Sequence, residues 1–198
     1  MPLPPPAPRS HLHKRTCVYH GYLRDDGLFD IEAELKDTKS QPFRRHDEEV
    51  PAGAPIHGML IRATVNEAMT IVEIAGAMDD TPFGECRGSL EPLQAMVGAT
   101  MGPGWRAAIE RALGQDRGCT HLRELLFNMA TAAFQTITAH QYAEEATQAP
   151  TAQAGSEPPY YMGKCLAWAF DGAVAKRLRP EFAGWQPLKP ARRTPGEA

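Results

Sequence analysis

The strongest constraint on the fold of this chain is a strict alternation of residues that follows the dipeptide Asp26-Gly27. The apolar positions are Phe29, Ile31, Ala33 and Leu35, and the charged positions between them are Asp30, Glu32, Glu34 and Lys36. A period of two residues is typical of a strand with one buried face. Because glycine tolerates the positive φ of a tight turn, the stretch "KRTCVYHGYLRDDGLFDIEAELKDTKS" predicts a β-hairpin.

Further along the chain, a second hairpin gives way to helical spacing. The strands "IHGMLIRATV" and "MTIVEIAGAM" flank a turn near Asn66-Glu67. Ser89 is then predicted to cap a helix, and "GWRAAIERALG" a second one that opens at Pro103-Gly104 and closes at Gly114. A third helix follows Cys119, with its apolar stripe at Leu122, Leu125, Leu126, Met129, Ala133 and Ile137. Strands first and helices second predict an α+β fold, in which N-terminal antiparallel β-hairpins form a sheet packed against C-terminal helices.

Length and composition predict one domain with flexible flanks. The 198 residues, 42% of them hydrophobic, suit a single α+β domain over residues 11–144. Proline in residues 1–10 predicts a disordered lead, and "EEATQAPTAQAGSEPP" predicts a flexible linker over residues 145–159. Residues 160–187 are interpreted as an extension that packs on the domain, with a short hairpin turning at Asp171-Gly172.

Charge and motifs narrow the classes of partner. A net charge of -3 argues against nucleic acid, and no apolar run reaches the roughly 20 residues of a membrane span. The start, "MPLPPPAPRSHLHKR", lacks the apolar centre of a secretory signal, which favours the cytoplasm and reduced thiols. Cys17 and Cys165 are interpreted as ordinary buried thiols. No nucleotide-binding fingerprint is present. A homo-oligomer is compatible with the sequence.

Two cysteines and one histidine are candidates for a metal site. Cys119 directly precedes its predicted helix, and Cys86 lies three residues before Ser89. Helix N-termini favour thiolate, which is both a nucleophile and a metal ligand. His57 shares its face with Met59 and can ligate a metal as neutral imidazole. The alternative is that each is ordinary core, since buried cysteine commonly acts as a small hydrophobe.

A polar cluster marks the first hairpin. Arg24 lies next to Asp25 and Asp26, which is either a solvated ion pair or an anion-binding arginine beside acid/base carboxylates. Arg15, Arg24 and Arg62 are candidates to bind an anionic substrate, and Tyr22 to contact a phenol. Asp30 and Glu32 point to one face and are candidates to line a cleft.

The central segment resembles the iron–sulfur cluster scaffold (NifU/IscU-like) proteins. The stretch is "GAPIHGMLIRATVNEAMTIVEIAGAMDDTPFGECRGS", with "CTHL" further on. The resemblance implies a scaffold-like fold in which His57 replaces the first Cys, Met59 the ligand-tuning Asp, and Cys86 and Cys119 keep the second and third Cys. The family's adjacent His is Gly118 here, with His121 nearby. A set of two Cys and one His suits one Zn²⁺ or other divalent ion with an open position rather than a cluster.

The whole chain resembles the bacterial DUF2889 family. "HKRTCVYHGYLRDDGLFDIEAELKDTK", "PIHGMLIR", "PFGEC", "GW" and "GCTHLRELL…TAAFQT" carry the resemblance, from about His11 to Phe182. The family label brings no function with it. It implies that the region of His57, Cys86 and Cys119 is a family trait.

The favoured hypothesis is an enzyme, a lyase that acts on a small aromatic or carboxylated metabolite. Its predicted catalytic residues are His57, His121, Tyr22, Arg24 and Arg62, and its predicted metal ligands are His57, Cys86 and Cys119. A hydrolase ranks second because no HExxH motif supplies a water-activating base. The alternatives are a metal or iron–sulfur cluster carrier, a cofactor-free lyase that uses His57 as its base, and a binding module with purely structural cysteines.

Overall fold

A computed structural model describes residues 2–45, 48–147, 157–159 and 161–186. Its main feature is a sheet of four antiparallel strands, β1 (His13–Leu23), β2 (Phe29–Lys39), β5 (Pro55–Val65) and β6 (Ile71–Asp80), in the order β1-β2-β5-β6. Two short strands, β3 (Phe43–Arg45) and β4 (Glu48–Val50), pair with each other in the long connection. Both predicted hairpins are confirmed, and Gly27 in the first turn has φ of 82°.

Helices cover one face of this sheet. The helix α1 spans Trp105–Leu113 and the helix α2 spans Thr120–Thr147. The predicted stripe of α2, from Leu122 to Ile137, is buried against the apolar row Phe29, Ile31, Ala33 and Leu35 in one core. The predicted α+β class, with a sheet of N-terminal hairpins packed against helices, is therefore confirmed.

The segment around Cys86 differs from the prediction. It is a 3-10 helix over Gly84–Met96, with Pro92 inside it, rather than an α-helix capped by Ser89. Proline has no backbone N–H to donate, and its ring clashes with the carbonyl of the preceding turn. A regular α-helix is therefore disfavoured around Pro92. The hydroxyl of Ser89 donates a hydrogen bond to the carbonyl of Cys86 at 2.6 Å instead of capping a helix. Cys86 therefore lies within a helical turn and does not precede one.

The chain divides into two compact units, Met1–Gln148 and Ala149–Ala198. The second contains the helix α3 (Ala173–Leu178), a 3-10 turn at Pro180–Phe182 and a small apolar cluster of Met162, Ala175 and Phe182. The predicted hairpin is wrong, because Gly172 is the N-cap of α3 and Ala, Lys, Arg and Leu are strong helix formers. The packing of this extension on the domain stays a prediction.

The flanking segments are only partly described. Residues 2–10 are exposed and form no helix or strand, and their disorder stays a prediction. The helix α2 reaches Thr147, three residues into the predicted linker, and residues 148–156 lie outside the described residues. Among the helices that the structure describes, none is long and apolar enough to cross a membrane.

Cys17 and Cys165 are both exposed, which corrects the expectation that they are buried. Cys17 lies on β1, at the edge of the sheet, where a side chain has neighbours on one side only. The four cysteines form no disulfide bond in the structure, and their reduced state in the cell stays a prediction.

Candidate functional site

A row of three polar side chains crosses three strands at one end of the sheet. Arg15 on β1 is directly opposite Asp37 on β2, and Asp37 is directly opposite His57 on β5. Directly opposite residues of antiparallel strands lie on the same face, so the three side chains meet. The register of β2 and β5 shifts between Asp37 and Thr38. Such bulges end regular pairing and re-aim side chains near functional sites.

Asp37 is the centre of this row. It is 1% exposed, and its carboxylate accepts hydrogen bonds from Nε and Nη2 of Arg15 at 2.9 and 2.7 Å. Nδ1 of His57 and Nε2 of His13 each lie 3.0 Å from the same carboxylate. Arg15 also pairs with Glu124 of α2 at 2.6 Å. The carboxylate therefore has partners on both of its oxygens.

The surroundings of Asp37 keep it ionised. Burial by itself would raise the pKa of this carboxyl, because it disfavours the charged form. The hydrogen bonds and positive charge of Arg15, with the hydrogen bonds of His57 and His13, outweigh burial and hold the pKa well below its ordinary value of 3.8. A carboxylate that stays charged can orient an imidazole and stabilise its protonated form.

The start of α2 lies next to this row and places Cys119 and His121 beside it. The rings of His57 and His121 lie 4.0 Å apart between their centroids, and Sγ of Cys119 lies 3.6 Å from Nδ1 of His121. Burial, with the neighbouring His57 and Arg15, lowers the pKa of His121 from its ordinary value of 6.5. The neutral form of His121 is therefore favoured. The carbonyl of Cys119 accepts a hydrogen bond from the backbone N–H of Arg123, which makes Cys119 the N-cap of α2.

A cleft of about 690 Å³ opens beside these groups. Its lining includes both imidazoles and the two cysteines that the sequence singled out, which are His57, His121, Cys86 and Cys119. The rest of its wall is mixed in character, with the apolar side chains of Met59 and Phe83 and the charged side chains of Glu85, Asp116 and Arg117. The cleft is thus large enough for a small metabolite and offers both apolar and ionisable contacts.

The three predicted metal ligands, His57, Cys86 and Cys119, all line this cleft. A different set of residues has ligand atoms close enough together to bind one metal ion. Within the described ranges, the one trio of His, Cys, Asp or Glu whose ligand atoms lie within 4.8 Å of one another is Asp37, His57 and His121. Cys86 and Cys119 line the cleft without joining such a trio. The metal role of His57 stays a prediction, with His121 as its neighbour.

The other predicted catalytic residues lie elsewhere. Arg62 is five residues from His57 on β5, which puts it on the opposite face of the sheet, where it pairs with Glu32 at 2.6 Å. Tyr22 is 48% exposed at the far end of β1. Arg24 pairs with Asp26 at 2.7 Å in the turn. The structure does not bring these three to the cleft, and a role for them would be at a separate surface.

Asp37 was missed by sequence reasoning although a signal was present. The apolar row of β2 continues with period two from Leu35 to position 37, where a carboxylate stands on the buried face. A charged residue in a buried row needs a partner, which makes such a position a candidate for a site. The sequence alone does not show that Arg15 is this partner, because the pairing depends on the register of β1 and β2.

The comparison with family models identifies the chain as a member of a family described as a protein of unknown function (DUF2889), whose model matches residues 13–135. This match covers the sheet, the 3-10 helix, α1 and the first half of α2, and so includes every residue of the row and the cleft. No curated protein matches the chain, and neither does any solved structure. The resemblance to the iron–sulfur scaffold proteins therefore finds no support among solved structures.

Proposed function

We propose that this protein is an acid–base enzyme, a lyase in which His57 is the general base. The observation that carries the proposal is the hydrogen bond of 3.0 Å between Nδ1 of His57 and the buried carboxylate of Asp37 at the edge of the cleft. An imidazole that donates from Nδ1 has its Nε2 lone pair free to accept a proton. The ionised Asp37 stabilises the imidazolium that results.

The surroundings of His57 support proton transfer. Its side chain is 16% exposed, so it is reachable from the cleft but largely shielded from water. Arg15 holds Asp37 charged, and His121 lies next to His57, where it can donate or accept a proton in the same reaction. Groups held in fixed positions by a sheet and a helix need little reorganisation when charge develops.

A lyase is the reaction type that these groups suit best. His57 takes a proton from a carbon next to a carbonyl or carboxylate, the electron pair forms a carbon–carbon double bond, and the leaving group on the next carbon departs with a proton from His121 or water. Arg117 in the cleft suits a carboxylated ligand, and Met59 and Phe83 suit an aromatic one. The cytoplasm as its location and a homo-oligomeric state stay predictions.

The tautomer of His57 tests the proposal without a known substrate. In a ¹⁵N–¹H NMR experiment at pH 7.5, we expect His57 to carry its proton on Nδ1 and to have a bare Nε2. His140 on α2 is the control, because its Nε2 lies 3.4 Å from Glu144 and it should favour the other tautomer. A proton on Nε2 of His57 would show that this atom is not free to act as a base.

Turnover tests the reaction class. Small carboxylated and aromatic compounds are incubated with the protein in D₂O, and ¹H NMR follows new double bonds and deuterium at the carbon next to the carbonyl. We expect the activity to fall by about 10²–10⁴-fold in His57→Gln, the range for loss of a general base. Cys17→Ser, at an exposed thiol, is the control and should retain it. Equal activity of His57→Gln and the parent chain would contradict the proposal.

A mononuclear metal site is the second candidate, because Asp37, His57 and His121 present ligand atoms within 4.8 Å of one another. Because the carboxylate of Asp37 already accepts hydrogen bonds from Arg15 and His13, the metal ligands would be His57 and His121. Asp37 would then orient His57 through its hydrogen bond to Nδ1. One equivalent of zinc in the purified protein, lost in both His57→Ala and His121→Ala, would favour this candidate. A brown protein with a labile cluster would favour the carrier hypothesis instead.

A further inference from the structure

The four cysteines of this chain form two pairs with different environments. Cys17 and Cys165 are exposed, and Cys86 and Cys119 are half-buried in the lining of the cleft. Cys119 is the one with an imidazole nitrogen within hydrogen-bonding distance of sulfur, 3.6 Å from Nδ1 of His121, among the contacts that the structure describes. A thiol beside a histidine in a cleft is the arrangement by which proteins activate a sulfur nucleophile.

We infer that Cys119 is a nucleophile and His121 its base, and that the cleft takes a ligand with an α,β-unsaturated carbonyl group. The ligand class rests on the proposed function, since elimination next to a carbonyl makes a compound of this kind. The reactivity of Cys119 does not rest on it, because it follows from the thiol, the imidazole and the cleft alone.

The position of His121 suits this role. Its Nδ1 lies 3.6 Å from Sγ of Cys119, and an imidazole that carries its proton on Nε2 has Nδ1 free to accept one. Its Nδ1 can therefore accept the proton of the Cys119 thiol. The groups around it come from three strands and the helix itself, and they are Arg15, Asp37, His57 and Glu124. Asp37 and Glu124 are the two carboxylates among these groups, and they offset positive charge that develops on His121 during the transfer.

The reaction is an addition of S–H across a carbon–carbon double bond. The thiol proton moves to Nδ1 of His121, and sulfur forms a bond to the carbon distal to the carbonyl. The π pair moves toward the carbonyl as an enolate, and the carbon next to the carbonyl then takes the proton from His121. Atoms and charge balance without an oxidant or reductant. In the reverse direction His121 removes that proton and returns it to the sulfur as the carbon–sulfur bond breaks.

Competition among the four thiols tests the inference in the unaltered protein. The chain is treated with acrylamide, an α,β-unsaturated amide, at pH 7 in the presence of EDTA, and the adduct on each cysteine is followed by peptide mass spectrometry. Although Cys119 is less exposed than Cys17 and Cys165, we expect it to react at least about tenfold faster than either, since the thiolate is the reactive form. Cys86 is the matched control within the cleft.

A variant separates activation by His121 from mere access. His121→Asn should lower the rate at Cys119 by about tenfold and leave Cys17 and Cys86 unchanged, since the base alone is lost. His140→Asn, further along the same helix, is the control and should change no rate. Circular dichroism of both variants checks the fold.

Two results would overturn the inference. One is a rate at Cys119 no higher than that at Cys86 in the parent chain. The other is an unchanged rate at Cys119 in a folded His121→Asn variant. Fast labelling of Cys119 together with a proton on Nε2 of His57 would support Cys119 as a nucleophile and contradict His57 as the general base.

Discussion

Asp37 illustrates how one buried carboxylate can organise several residues. Arg15, His13 and His57 all direct a donor to it, and their positions are fixed by strands rather than by loops. Burial of an ionised group is unfavourable unless its hydrogen bonds are made, so each of these partners is also a condition for the stability of the fold. Function and stability are therefore coupled at this residue.

Replacement of Asp37 tests that coupling. Asp37→Asn keeps the shape of the side chain but points an N–H group at Arg15 or His57, and we expect the free energy of unfolding at pH 7 to fall by about 2 kcal/mol, the value of a hydrogen bond to a charged group. The pKa of Asp37 is lowered by folding, so its contribution is present above its ordinary value of 3.8 and is lost as the pH falls toward the folded-state value.

Urea unfolding of both chains between pH 7 and pH 3 measures this difference, which should be largest at pH 7 and shrink below about pH 4. Asp26→Asn is the control. Its carboxylate also pairs with an arginine and also has a lowered pKa, but it lies in an exposed turn, where an ion pair contributes little. Equal loss of stability in the two variants would contradict a special role for Asp37.

The residues of the cleft were predictable to different degrees. His57 follows from its place on an apolar face, and Cys119 and His121 follow from their position at the start of a helix. Their meeting with Asp37 and Arg15 could not be predicted, because it depends on the register of three strands that are distant in sequence. Arg24 and Arg62 show the reverse case, since their charges are paired locally, by Asp26 and Glu32.

At the scale of elements, the contact between β1 and α2 sets how closely the helix approaches the sheet. Gly21 of β1 lies against Thr136, and a methyl group added at Gly21 would lie 1.8 Å from Oγ1 of that threonine. No real contact is so short, so the helix and strand touch here because position 21 has no side chain. Thr136 belongs to the helix α2, which begins just after Cys119 and carries His121 in its first turn.

Substitution of Gly21 should therefore push α2 away from the sheet. Gly21→Ala is expected to lower the free energy of unfolding by about 1–3 kcal/mol, the usual range for overpacking. Thr136→Ala removes the nearest atoms, so the double variant should recover part of this loss. Thermal unfolding of the single and double variants measures the effect. A Gly21→Ala chain as stable as the parent would show that the helix has room to move.

Elements with clear periodicity were predicted, and the others were not. The hairpins, α1 and α2 follow from alternation, helical stripes and the glycines at Gly104 and Gly114. The prediction for the segment Gly84–Met96 was wrong, because Pro92 and the short spacing of the apolar residues are compatible with both an α-helix and a 3-10 helix. In the second unit, Asp171-Gly172 matches a turn dipeptide, but the helix-forming residues after it decide the outcome.

At the scale of the whole molecule, the described core lies in the first of two compact units. Its buried residues run from Phe29 to Ile137, within the unit Met1–Gln148, and the family match over residues 13–135 lies inside the same unit. The second unit has a small cluster of its own. The first unit therefore contains what a stable domain needs.

A chain that ends at Gln148 should fold by itself. We expect it to unfold in a single cooperative transition. A chain that ends at Gly118 is the control, because it lacks α2 and its buried stripe, and it should not unfold cooperatively. Calorimetry measures both. A non-cooperative transition of the longer chain would show that the second unit is required.

The row of Arg15, Asp37 and His57 also has a consequence for the order of folding. Its members are separated by 22 and 20 residues in the chain, and they meet only when both strand pairings have formed. A slip of one residue in either pairing would turn one of them to the opposite face and leave Asp37 buried without that partner. Misaligned pairings of these strands are therefore less stable than the native pairing. The polar row thus favours the correct strand register during folding.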